Sequence, residues 1–256
     1  MKARNVYYEV DKHFAWLMMN RPEALNALSE GMFADLEEAL RKASADHQVY
    51  WLGIKGAGRA FCAGLDIKEV SGFRTRQQAR EFVYDLVKPF WERFIGCDKP
   101  IIAVVDGPAY GAGAEIAMAS DVVVASPRST FAFSGGRVGA LCCISAMIGQ
   151  FVMTGRKVVE MNLTGTPISA DQAQALGMVS YVEDRPQIEN RIRLLIDEMR
   201  HVSPISNSSF KRIRRELVTT RMLRAAYREL YRTITSKDFK QGAAAFAKKT
   251  RPEYYL

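Results

Sequence analysis

Two loops rich in glycine and alanine carry the residues of this chain best suited to chemistry. Gly56-Ala57-Gly58-Arg59-Ala60-Phe61-Cys62-Ala63-Gly64-Leu65-Asp66-Ile67-Lys68 follows an apolar stretch at 50–54, and Asp106-Gly107-Pro108-Ala109-Tyr110-Gly111-Ala112-Gly113-Ala114-Glu115 follows another at 101–105. Small side chains let a ligand approach the main chain, and a helix beginning inside such a loop turns its unpaired N–H groups outward. Side by side, two such loops would present a pair of amide donors to one oxygen. That geometry stabilises an enolate or a tetrahedral oxyanion. Glu115, between Ala114 and Ile116 in an apolar helical turn, would be the acid/base, its pKa raised by apolar surroundings. The same residues also fit two tight turns, with Glu115 in a first helical turn for its dipole interaction. Residue types alone leave both readings open.

Other chemistries lack their signatures. His13, His47 and His201 are scattered, which gives neither a zinc cluster nor a histidine-based triad a basis. There is no GxSxG elbow and no GxxxxGK[ST] loop, and Gly56-Ala57-Gly58 and Gly111-Ala112-Gly113 each lack the third glycine of a dinucleotide fingerprint. Cys62, Cys97, Cys142 and Cys143 form no CxxC and read as reduced thiols. No metal is expected.

The elements that must position the loops follow from periodicity. Residues 7–10 and 15–19 read as paired strands about a turn, and Ser29 can cap a helix on which Phe33, Leu36, Leu40 and Ala43 recur at helical spacing. Phe82, Val83, Leu86, Val87, Phe90, Trp91, Phe94 and Ile95 mark one broad apolar helical face that Pro89 should bend or interrupt. Residues 101–105 and 121–125 are Val- and Ile-rich runs bounded by turn residues, as expected of strands buried on both faces. This alternation argues for an α/β architecture. After about Val182 the pattern is helical, over 186–202 and then from Pro204 to Phe246.

The chain has 256 residues, 48% of them hydrophobic, with 36 Lys+Arg against 28 Asp+Glu and a net charge of +8. That composition excludes global disorder and suits one large domain or a domain plus an appendage. The first residues are charged and contain no apolar stretch of signal-peptide length, so the expected location is cytoplasmic. Residues 138–155 carry no charge but include Ser145, Gln150, Thr154 and several glycines, and read as a buried core helix, not a membrane span. Lys211, Arg212, Arg214, Arg215, Arg221, Arg224, Arg228 and Arg232, facing only Glu216 and Glu229 in their own segment, fit the solvated side of an amphipathic helix better than a nucleic-acid surface.

Asn20-Arg21-Pro22-Glu23-Ala24-Leu25-Asn26-Ala27-Leu28, Ala60 through Asp66, Gly107 through Asp121, and Ser236-Lys237-Asp238-Phe239-Lys240-Gln241-Gly242 with Ala245-Phe246 resemble, in order, the signatures of the crotonase (enoyl-CoA hydratase/isomerase) superfamily. The resemblance implies a core of repeated ββα units over 1–195 and a helical C-terminal oligomerisation region over 196–256, building a homotrimer or a hexamer. It implies an oxyanion hole from the N–H groups of Leu65 and Ala112. Ala63 would meet the adenine of coenzyme A through its main chain, Arg59 and Lys68 would lie near the phosphates, and Asp66 and Ile67 would belong to the same substrate loop. Asp66 also has its own reading as a helix cap. No permanently bound cofactor is implied, coenzyme A arriving as part of the substrate.

Glu115 falls on the first of the family's two hydratase glutamates, whereas the second position is Gly135, a departure that counts against two-glutamate hydration and against simple isomerisation. Some members place an acid about two helical turns on, where this chain has Cys143, read here as a buried structural thiol. Arg137, just beyond Gly135, is a candidate anchor for a second carboxylate on the acyl group. Tyr110, Ser134 and Tyr227 are hydroxyl candidates for holding water, each also explicable as structural. The resulting expectation is a lyase that stabilises a thioester enolate, hydrating a 2-enoyl-CoA or dehydrating a 3-hydroxyacyl-CoA. Decarboxylation, isomerisation, C–C cleavage or thioester hydrolysis are the alternatives, and a degenerate CoA- or RNA-binding protein is the non-catalytic one.

Overall fold

In the computed structural model, which describes residues 5–254, the alternation resolves into two sheets with helices around them. In chain order the elements are β1 (Val6–Asp11), β2 (Phe14–Met19), α1 (Glu30–Ala45), β3 (Trp51–Gly56), α2 (Ile67–Ser71), α3 (Arg76–Glu81), α4 (Lys88–Gly96), β4 (Ile101–Val105), β5 (Pro108–Tyr110), α5 (Ala112–Ala119), β6 (Val122–Ala125) and β7 (Thr130–Ala132). There follow α6 (Cys143–Ile148), α7 (Gly155–Thr164), β8 (Ile168–Ser169), α8 (Ala170–Ala175), β9 (Tyr181–Val182), α9 (Arg185–Met199), α10 (Pro204–Glu216), α11 (Thr220–Ile234) and α12 (Lys237–Ala247).

The larger sheet has the order β1-β2-β3-β4-β6-β9, and the smaller β5-β7-β8. β1 and β2 pair antiparallel as a hairpin, and the other neighbours in the large sheet run parallel. Parallel neighbours need crossovers, which the intervening helices supply. Twice in succession the chain places one strand in the large sheet and the next in the small one before a helix, in β4-β5-α5 and β6-β7-α6. This is the expected ββα repeat, and it delivers the loop after β4 to the start of α5. β4 is buried along its whole length, as its Val and Ile content predicts.

Local signals account for several boundaries. The hydroxyl of Ser29 accepts the Met32 N–H and starts α1, whose buried face is Met32, Phe33, Leu36, Ala39, Leu40 and Ala43. Pro89 does not break its helix, which continues through it from α3 to α4, but the turn before it is widened. Residues Phe82–Val87 form a π-helical turn in which the Lys88 N–H reaches back to the Val83 carbonyl, a widened turn directly before a residue that has no N–H to give.

Two expectations are corrected. Residues 138–155 are not one helix: Gly139 takes a left-handed φ of 72° and only Cys143–Ile148 is α-helical before α7 begins. The basic C-terminal segment is not opposed only by its own glutamates. Lys211 pairs with Asp121 and Arg212 with Asp98, while Arg215 donates to the Gly96 carbonyl, so these three cations tie α10 to the core. Arg221, Arg224 and Arg228 are exposed as expected. α11 packs on α6 and α12 on α2. Among the described residues no helix is long and apolar enough to cross a membrane.

Candidate active site

The two glycine-rich loops lie against each other. Cys62 and Ala109 form a parallel bridge, and the Tyr110 N–H donates to the Cys62 carbonyl at 2.9 Å. Gly64 sits at φ 93°, and a Cβ there would come within 2.8 Å of the Tyr110 carbonyl and 3.3 Å of the Ala112 nitrogen. Only glycine combines that backbone conformation with so close an approach. Asn26, fully buried, latches the first loop by donating to the carbonyls of Ala57 and Ala60, both at 2.9 Å. Leu28 and its neighbours pair with the far side of the loop through Leu28 N–H to Gly64 O and Asp66 N–H to Leu28 O. Among the described residues, the N–H groups of Leu65 and Ala112 have no acceptor in the protein, and both residues line one cavity.

Asp66 is the cap of α2, accepting the Glu69 N–H, and both terminal nitrogens of Arg21 reach its Oδ2 at 3.1 Å. The cap reading of Asp66 therefore holds, while the residue still borders the cavity. Glu115 stands in the first turn of α5 and is 2% exposed. Its Oε1 accepts the N–H groups of Ile144 at 2.7 Å and Ser145 at 2.8 Å, in the first turn of α6. Among the described residues no donor reaches Oε2. Burial pushes the Glu115 carboxyl up to about 8, an effect that the Ser145 and Ile144 hydrogen bonds partly offset. Burial, reinforced by the nearby Glu115 charge, also raises the Cys142 and Cys143 thiols well above their ordinary value. A thiol so shifted is no nucleophile at neutral pH.

The cavity holds about 520 Å³, within the range of small-molecule sites. Arg59, Ala63, Leu65, Asp66, Ile67, Lys68, Ala112, Glu115, Gly135 and Cys143 all contribute to it, so the structure brings these sequence candidates together. Gly135 leaves no room for a side chain: its Cβ would stand 2.8 Å from the Ala140 carbonyl and 3.0 Å from the Cys142 sulfur.

Arg137 is the correction. Its Nε donates to the Thr164 carbonyl at 3.0 Å, and the residue lines a neighbouring cavity with Asn162, Leu163 and Tyr254, not the Glu115 cavity. The local cause is the turn at 134–138, which closes on left-handed Gly139 and carries the side chain toward α7. Tyr110 is within 3.1 Å of the Thr130 hydroxyl, a structural contact between β5 and β7. Ser134 lines the cavity, whereas Tyr227 is 1% exposed, lies outside it, and is the buried side chain whose hydroxyl has no partner among the described residues. Among the described residues no group of three His, Cys, Asp or Glu side chains could hold a metal. Sequence reading missed the amides of Ile144 and Ser145 that seat Glu115. Backbone donors 29 and 30 residues away leave no mark in residue type.

A ββα core with two unpaired amides and a buried glutamate facing one cavity defines the crotonase class of fold. The chain belongs to the enoyl-CoA hydratase/isomerase family, whose profile matches residues 9–255. A probable enoyl-CoA hydratase of Rhizobium meliloti (strain 1021) is 30% identical, with 99% of each chain covered. The 1,2-epoxyphenylacetyl-CoA isomerase of Escherichia coli (strain K12) is 28% identical, with 96% of each covered. Among solved structures, an enoyl-CoA hydratase from Mycobacterium avium subsp. paratuberculosis K-10 superposes with a TM-score of 0.86 at 23% identity, over 98% of this chain and 99% of that one, a likeness of fold. The protein is thus an acyl-CoA-processing enzyme of the hydratase/isomerase kind.

Proposed function

We propose that the protein catalyses the reversible addition of water to a 2-enoyl-CoA thioester, with Glu115 as its one acid/base. The observation that carries this reading is a buried carboxyl with one oxygen anchored and the other without a donor among the described residues, in the same cavity as the Leu65 and Ala112 amides, which find no acceptor among those residues. The thioester oxygen sits between those two N–H groups. Ionised Glu115 takes a proton from water as the hydroxyl bonds to Cβ. The C=C electron pair moves into an enolate whose charge the two amides hold, pre-oriented and at no cost in reorganisation. Protonated Glu115 then delivers its proton to Cα, the carbonyl re-forms, and the carboxylate is restored. Dehydration is the same sequence reversed. One carboxyl suffices because the proton it takes is the proton it gives.

Exposed Arg59 and Lys68 at the opening suit the phosphates of coenzyme A, and the main chain of Ala63 suits its adenine. Exposed Ile205, Phe210 and Ile213 on α10 support self-association as a trimer or hexamer, to be read by sedimentation velocity. The test of the reaction is loss of conjugated-enoyl absorbance from crotonyl-CoA, with product analysis, for the wild type and Glu115→Gln. Formation of 3-hydroxybutyryl-CoA, slowed roughly a hundredfold to ten-thousandfold in the variant, is expected. Binding without turnover, or a product lacking the hydroxyl, would overturn hydration in favour of other enolate chemistry.

A further inference from the structure

The lining of the cavity divides by chemistry. Its cations, Arg21, Arg59 and Lys68, come from two segments near the opening, where Arg59 and Lys68 are exposed. Its large, buried apolar lining is Phe33, Val87, Trp91 and Leu230, which are 0%, 1%, 1% and 3% exposed. All four belong to the packed hydrophobic core, so the wall they form is backed by other side chains. Val87 and Trp91 stand one turn apart across Pro89, where the π-helical turn passes into α4, so both face the same side. Neither end-wall ring has room to swing. Trp91 packs edge-on against Phe90 and Phe94 with centroids at 5.0 and 5.9 Å, and Phe33 packs against Phe82 and Phe90 at 5.7 and 5.5 Å. With Arg137 directed elsewhere, the cavity's cations among the described residues are Arg21, Arg59 and Lys68, none of which belongs to the segments that carry Phe33, Val87, Trp91 and Leu230.

We infer that Trp91 and Val87 set the acyl specificity of the site, limiting it to short, uncharged acyl groups. The inference rests on the reading of the cavity as the acyl-CoA site. An acyl chain that runs from the amides past Glu115 meets the Trp91 wall and has no exit beyond it. A terminal carboxylate held against that apolar wall would be buried with no cation from Phe33, Val87, Trp91, Leu230 or their segments to pair it, and such a charge is strongly disfavoured.

The experiment compares kcat/KM for linear 2-enoyl-CoAs of four, six, eight and ten carbons, and for a dicarboxylic six-carbon analogue, in the wild type, Trp91→Leu and Val87→Ala. Calorimetric binding of the matching saturated acyl-CoAs runs in parallel. The wild type should favour the shortest chains and discriminate against the dicarboxylic analogue by more than about a hundredfold. Each variant should raise the ratio of ten-carbon to four-carbon kcat/KM by about tenfold or more, since each methylene that finds room is worth roughly fourfold. Val87→Ala carries the test should Trp91→Leu not fold. Equal use of all lengths by the wild type, or an unchanged ratio in a folded variant, would overturn the inference. Absence of turnover at every length, with binding that still falls with length and recovers in the variants, would overturn the proposed reaction and uphold the length limit.

Discussion

Glu115→Gln separates what the carboxyl does for catalysis from what it costs the fold. Burial lifts this carboxyl from 4.5 to about 8. At about 1.4 kcal/mol per pH unit, keeping the ionised form in the cavity costs on the order of 5 kcal/mol. The sign follows from proton linkage: between pH 4.5 and about 8 the folded chain retains a proton that the unfolded chain has released. The stability linked to this group is complete below pH 4.5 and is lost as pH rises to about 8. Glutamine keeps the shape and still accepts the Ile144 and Ser145 N–H groups, but carries no charge at any pH. The variant should therefore melt close to the wild type at pH 5 and on the order of 10 °C above it at pH 9, measured at one protein concentration. Wild-type kcat/KM should behave in the opposite sense, rising about tenfold per pH unit and levelling off near pH 8, because the carboxylate starts the reaction. A melting difference that is independent of pH, or a rate profile with its inflection near 4.5, would refute the assignment of a buried, desolvated base.

Three further outcomes follow from the geometry. Gly64→Ala forces a side chain onto a φ of 93° and against the Tyr110 carbonyl; displacement of the Leu65 and Ala112 amides should cost about a hundredfold in kcat or more, read with crotonyl-CoA. Gly135→Glu should not create a two-glutamate enzyme, since even its Cβ meets the Ala140 carbonyl; the expected result is no gain in turnover and a loss of about 1–3 kcal/mol in urea unfolding. Arg137→Ala should leave the preference between monocarboxylic and dicarboxylic acyl-CoAs unchanged, as competition kinetics would show, because its guanidinium is turned to Thr164.

Features that depend on short-range physics can be read from residue order alone. The Ser29 cap, the fully apolar run that became β4, the widened turn before Pro89 and the two small-residue loops are legible because capping, strand burial, a missing N–H and close backbone approach each demand particular residue types at fixed spacing. Glu115 was legible as a charged residue in an apolar helical turn. The tertiary structure decided everything that depends on which way a side chain leaves the backbone and what meets it from afar. It seats Glu115 on amides 29 and 30 residues away, sends Arg137 out of the site through the turn at Gly139, and divides the basic helix between ion pairs with Asp98 and Asp121 and free solvent. It also closes the cavity with Trp91, which the sequence marks only as one apolar residue on a helical face. Periodicity reports that a residue is buried, and only the packing of distant segments decides whether it is buried in the core or forms the wall of a site.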